Sequence, residues 1–276
     1  MASSHDRAHG VTPGLRRDYG HRTAERQAAF VLPYLQPGMN LLDLGCGPGS
    51  ITVGLARAVA PGDVIGIDHD SRHIEAARAR AAAQGVDNVL FRKGNVLTLP
   101  FPDDSFDVVF ENDLFVHLAR GAAQAARDVY RILKPHGFFA ARDADAAAAV
   151  WGHTSALFKQ LDQSMIAWQQ RRGSDITLGR QLPKILREAG FANIIKSVSA
   201  DTKGTPASVR SHADITLSLL DGPLGKDMVE HGAADSDTIA RLKATVQAWA
   251  EHPDAFFANI HVEVMGWKSD ENPNDR

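Results

Sequence analysis

The chain of 276 residues has a single cysteine, Cys46, so it can form no intramolecular disulfide and suits a reducing compartment. It has no excess of either charge: 30 basic residues stand against 33 acidic ones, for a net charge of −3. That balance lacks the basic footprint needed to wrap nucleic acid or to lie on an anionic membrane. No apolar run approaches the length of a bilayer span. The polar start (Ser3, Ser4, His5, Asp6, Arg7, His9) has no apolar signal core, so the expected compartment is the cytoplasm. Two histidine pairs stand at helical spacing, His5/His9 and His69/His73. Neither has an H-E-x-x-H sequence or a cysteine partner beside it, and no metal site is expected. The apolar share of 44% is ordinary for a packed protein, and the length suits one enlarged α/β domain or a domain with an inserted cap.

What the chain does have is an apolar run, Leu41-Leu42-Asp43-Leu44, that stops at three glycines on alternate positions, Gly45, Gly47 and Gly49. A helical pattern then begins at Ile51 and continues through Leu55, Ala56 and Val59. A buried strand, a tight glycine turn and a helix N-terminus are the usual apparatus for a nucleotide-like cofactor. The dinucleotide pattern G-x-G-x-x-G is not met, because Ser50 follows Gly49. Asp43 beside the loop would also repel a pyrophosphate. A carboxylate there suits a ligand that carries an ammonium and a sulfonium and no phosphate, as S-adenosylmethionine (SAM) does.

Taken in order, the pattern predicts a helix over 23–35, closed by Pro37-Gly38, and strands at Met39–Leu44 and Val64–Ile67. A helix over Ser71–Gln84 precedes strands at Val89–Phe91 and Phe106–Phe110, a helix over Gly121–Leu133 and a fifth strand at Phe138–Arg142. This β-α-β-α-β-β-α-β alternation implies a parallel, doubly wound, Rossmann-like sheet. The second half is less regular: helices over 151–172 and 182–189, a strand at Ile194–Ser199, two helices within 205–250 with Gly-rich interruptions at 222–225 and 232, and a closing strand at Phe256–Trp267.

The motif Asp43-x-Gly45-x-Gly47-x-Gly49 resembles the first motif of the class I SAM-dependent methyltransferases, and the likeness extends through most of residues 19–143. It implies a seven-stranded sheet whose last strand is antiparallel, in a single methyltransferase domain spanning 1–276. Residues 19–143 would hold SAM, and helical segments 144–180 and 201–252 would cap the substrate. By the resemblance, Asp43 helps hold the methionine ammonium. Gly45, Cys46 and Gly47 pass their backbone along the methionyl and ribose part. Asp68 takes the two ribose hydroxyls, and His69 lies beside the adenine. Asn95 and Val96 stand where the family often has an acidic residue meeting the adenine amino group. Glu111 and Asn112 face the methionine end. The lead-in Tyr19-Gly20-His21-Arg22-Thr23 resembles the segment that folds over the cofactor in ubiquinone-biosynthesis-type methyltransferases. Tyr19 there either shields the sulfonium with its ring face or packs beside the first helix.

Methyl transfer asks a protein to position the nucleophile, exclude water and sometimes accept a proton. His117, just past the fourth strand, is the best-placed proton acceptor; Arg142, Asp143, Asp145, His153 and His261 are further candidates. The expected acceptor is a small molecule methylated at O, N or C, apolar or aromatic by the composition of the 144–252 segments, with no nucleic-acid or membrane partner. A homodimer is left open. The sequence Glu111-Asn112-Asp113-Leu114 stands where DNA amino-methylases of this class carry N/D-P-P-Y/F. Two other readings remain: a SAM-binding protein that uses the pocket for non-methylating chemistry, and an NAD-dependent oxidoreductase.

Overall fold

The computed structural model describes residues 20–269, which divide into two compact units. One comprises 20–143, 178–198 and 262–269; the other comprises 144–177 and 199–261. Tyr19 and the His5/His9 pair lie outside the described residues.

The first unit is built on β1 (Leu41–Leu44), all four residues of which are buried. It pairs in parallel with β2 (Val64–Asp68) on one side and β4 (Phe106–Asn112) on the other. A strand covered on both faces must be apolar throughout, which is why Leu-Leu-x-Leu carries no alternation. β3 (Val89–Lys93) lies outside β2, and β5 (Leu133–Ala144) lies beyond β4. The order continues β3-β2-β1-β4-β5-β8, where β8 is Phe256–Trp267, and β7 (Ala192–Lys203) flanks β8. Gly137, near the start of β5, accepts from the Lys268 amide just past the end of β8, so β8 runs antiparallel to β5. All seven expected strands are present.

The helices of this unit are α1 (Ala24–Gln27), α2 (Thr52–Val59), α3 (Ser71–Ala83) and α4 (Ala122–Ile132). α3 begins where the Asp70 side chain accepts from the Arg72 amide, an N-cap that satisfies one of the orphaned donors of the first turn. The helix expected over 23–35 is a correction: α1 stops at Gln27 and a 3-10 turn takes Leu32–Tyr34. Pro33 has no N–H to give to the Ala29 carbonyl, so a continuous helix cannot pass through it.

The second unit holds β6 (Val150–Gly152), α5 (Ala156–Arg171), α7 (Pro206–Asp221), α8 (Pro223–Glu230) and α9 (Ser236–Ala250); α6 (Leu182–Glu188) belongs to the first unit. Its core gathers Phe158, Leu161, Trp168, Leu220, Leu242 and Trp249. β6 was not expected: Trp151 stands in a three-residue strand antiparallel to the first residues of β8, not at the start of a helix. The two helices expected within 205–250 are three, because Gly222-Pro223 ends α7 and starts α8.

Candidate functional site

The glycine loop follows the C-terminal end of β1, the edge of a parallel sheet where ligands bind. Gly45, Gly47 and Gly49 all have positive φ, 68°, 52° and 73°. Their reasons for being glycine differ. A β-carbon on Gly47 would meet nothing within 4 Å, so this residue turns bare backbone toward open space. A β-carbon on Gly49 would lie 2.8 Å from the Ala77 side chain, so that glycine lets α3 close against the loop.

Asp68 ends β2 and organises the loop. Its Oδ2 accepts the Gly47 amide at 3.0 Å and its Oδ1 accepts the Asp70 amide at 2.8 Å. His69 and His73 each place Nδ1 3.4 Å from one of its oxygens. Burial pushes the Asp68 carboxyl up, but His73, the Asp70 amide and His69 outweigh it, and its pKa falls below the ordinary value. Asp68 therefore stays an anion with acceptor capacity at the mouth of the loop. His69 is exposed beside it.

Asp43, buried in β1, accepts the Thr52 hydroxyl at 2.6 Å, which ties the strand to the first residue of α2. Burial raises its pKa to about 7; the Thr52 bond opposes this and the Asp68 charge adds to it. A cofactor ammonium favours the ionised form. The affinity for S-adenosylhomocysteine (SAH) is therefore expected to rise about fivefold to tenfold from pH 6 to pH 7.5 as Asp43 gives up its proton. Asp43→Asn flattens that rise, and calorimetric titration across the range reads it. The folded-state value lies above the unfolded one, so the same group favours folding below about pH 4, and that contribution is lost as the pH climbs toward 7.

Cys46 contributes backbone: its amide donates to the Ile67 carbonyl at 3.0 Å, and its thiol is buried against Gly66. Burial first, then the Asp43 and Asp68 charges, push the thiol well above its ordinary pKa, so it is no nucleophile. Asn95 is exposed after β3 and its side-chain oxygen accepts the Leu97 amide at 3.0 Å. The amide NH₂ is the part of Asn95 that this turn leaves out of use. Val96 is buried.

At the end of β4 the structure brings together more than the sequence indicated. Glu111 is fully buried and accepts the Arg142 amide through Oε1 and the Leu114 amide through Oε2, each at 3.1 Å. Asn112 accepts from Arg142 Nη1 at 2.9 Å and donates to Asp113 at 3.3 Å. Asp113, with φ 54°, pairs with Arg22 at 2.8 Å. Arg142 is 1% exposed and places Nε 3.6 Å from Glu263, which accepts the Ser197 hydroxyl at 2.6 Å. His117 ends a 3-10 turn, Phe115–His117, half-buried on the same loop. Asp145, His153 and His261 belong to the other unit, where His153 stacks on His252 at 3.3 Å and His261 lies 3.9 Å from Asp201. Arg142 was read only as a candidate beside the crevice; its burial and its pairing with Glu263 were missed because nothing local marks either residue as interior. Among the described residues no group of three or more His, Cys, Asp or Glu is placed to hold a metal ion.

The bare backbone at Gly47, an anionic Asp68 beside it and a proton-poised Asp43 fit a ligand that offers hydroxyls and an ammonium and no phosphate. Comparison with known proteins agrees. A family described as "Methyltransferase domain" matches residues 35–190. A probable methyltransferase, ltbC, of Aspergillus luteorubrus is 31% identical over 271 residues, 90% of this chain and 92% of that protein. Among solved structures, the YcgJ protein of Bacillus subtilis superposes with a TM-score of 0.59 at 18% identity, over 89% of this chain and 99% of that one. The phosphoethanolamine N-methyltransferase 2 of Haemonchus contortus, solved with phosphomonomethylethanolamine and SAH, gives 0.54 at 18% identity over 88% of this chain and 52% of that one. At such identities the structures speak for the fold.

Proposed function

The chain belongs to the class I SAM-dependent methyltransferases, and on that premise we propose that its acceptor is a small apolar or aromatic molecule, methylated at O, N or C. The observation that carries the reading is a ring cluster in the second unit. Trp151 lies 4.5 Å from Phe257, 5.0 Å from Phe158 and 5.2 Å from Trp249, and His212 stacks on Phe257 at 4.2 Å. Trp151, His212 and Phe257 are each only partly buried, which leaves aromatic surface for an apolar acceptor to meet. We take segments 144–180 and 201–252 to supply the acceptor's surface and 19–143 to hold the cofactor, within one methyltransferase domain. A cytoplasmic setting suits a chain whose lone cysteine is a buried free thiol.

The cofactor supplies a methyl group already activated by its sulfonium. The remaining tasks fall to the chain. Asp68 and the Gly47 amide fix the ribose, and Asp43 faces the ammonium side of the loop. His69, Asn95 and Val96 bound the adenine end, and Glu111 and Asn112 the methionine end. Bound there, SAM would supply its methyl group to an electron pair of the acceptor, with SAH as the leaving group. His117 takes the proton that an O–H or N–H acceptor sheds.

The test is incubation with methyl-labelled SAM and a metabolite extract, followed by partition. Label in organic-soluble small molecules, with SAH formed in equal amount, supports the reading. Label that precipitates with protein or nucleic acid sinks it, as does a product made without SAM consumption.

A further inference from the structure

Behind the turn that follows β4, two carboxyl groups are buried with no solvent-facing surface, Glu111 on β4 and Asp143 on β5. Between them they accept two backbone amides of the turn. Leu114 donates to Glu111 Oε2 at 3.1 Å and Val116 donates to Asp143 Oδ1 at 3.2 Å. The Arg142 amide, from the adjacent strand, fills the other oxygen of Glu111. The turn held in this way carries Leu114, whose Cδ1 lies 3.0 Å from where a β-carbon on Gly45 would stand. The glycine loop is therefore seated against a side chain whose own backbone is fixed by these carboxyls.

We propose that Glu111 and Asp143 are positioning residues for the cofactor site: they clamp the amides of Leu114 and Val116, seat Leu114 against Gly45 and so set the shape of the glycine loop. This rests on the assignment of that loop and Asp68 to the cofactor. The pair does not carry two charges at neutral pH. Burial, then the neighbouring Asp143 charge, holds Glu111 well above the carboxylate range; burial, then Asp113, raises Asp143 to about 8. Both carboxyls therefore favour the protonated form at neutral pH. The other charged groups facing the pair are Asp113, itself paired with Arg22, and Arg142, held by Asn112 and Glu263. As the pH passes about 8 Asp143 loses its proton, and the uncompensated buried charge that results loosens the clamp.

The experiment is calorimetric titration of the full chain with SAH from pH 6 to 9.5, alongside amide hydrogen exchange. Asp143→Ala is expected to weaken SAH about thirtyfold at pH 7 and to strip protection from the Leu114 and Val116 amides. Asp143→Asn brings a permanent donor toward Glu111 and keeps an acceptor for Val116. It is expected to restore affinity to within about threefold and to remove the pair's share of the alkaline fall seen in the parent protein. The α-amino group of SAH titrates in the same range, so the variant separates the two. An alkaline fall identical in Asp143→Asn and the parent overturns the proposal, as does Asp143→Ala binding within twofold of the parent. If Asp143→Ala does not fold, the Asp143→Asn profile decides alone. Asp68→Ala tells the two readings apart: unchanged binding there means the cofactor assignment itself is wrong. Lost binding there with silent Asp143 variants rejects only the clamp.

Discussion

Asp68→Ala is expected to weaken SAM and SAH binding by about a hundredfold to ten-thousandfold. Two ribose hydroxyls donating to an ionised carboxylate contribute about 1.5–3 kcal/mol each, and the whole is lost when the acceptor goes. The structure adds a second reason. Asp68 accepts the Gly47 and Asp70 amides, so its removal also frees the backbone that the cofactor must meet. Asp68→Asn keeps one acceptor oxygen and should lie between the two. The measurement is calorimetry with SAH, with circular dichroism to confirm that the sheet persists. An alanine variant that binds within threefold of the parent would remove Asp68 from the site and with it the orientation proposed for the cofactor.

Arg142→Leu is expected to cost about 3–5 kcal/mol of stability, which lowers the melting midpoint by about 10 °C in a chain of this size. The loss is not of a surface ion pair. Arg142 is 1% exposed, and its removal leaves Glu263 buried without its cation and Asn112 without its donor. The double variant Arg142→Leu/Glu263→Gln should recover much of the loss, because it removes the orphaned charge as well as the cation. Thermal melts of the three proteins check this. Equal losses in the single and double variants would mean that the cost is steric.

The glycine loop, the strand before it and the carboxylate at the end of β2 were legible because they are local. Turn geometry, burial on both faces and the spacing of one strand–helix–strand unit are all written within residues 41–68. The same locality explains the seven strands and the alternation that orders five of them. The reading failed where a single residue overrode a period, at Pro33; the break at Gly222-Pro223 was read, but not that three helices result. It also failed where pairing came from far along the chain, as β6 owes its existence to the first residues of β8.

The sequence by itself determined the fold class, the family and the type of cofactor, since these follow from short-range pattern and from the charge beside the loop. Only the tertiary structure decided that Gly49 serves helix packing while Gly47 faces open space, and that Asp68 is an anion while Asp43 is poised near neutrality. It alone set Glu111 and Asp143 behind one turn, where burial raises both carboxyls. A carboxyl group's protonation is a property of its burial and its neighbours. Those are settled when strands far apart in the chain are laid side by side.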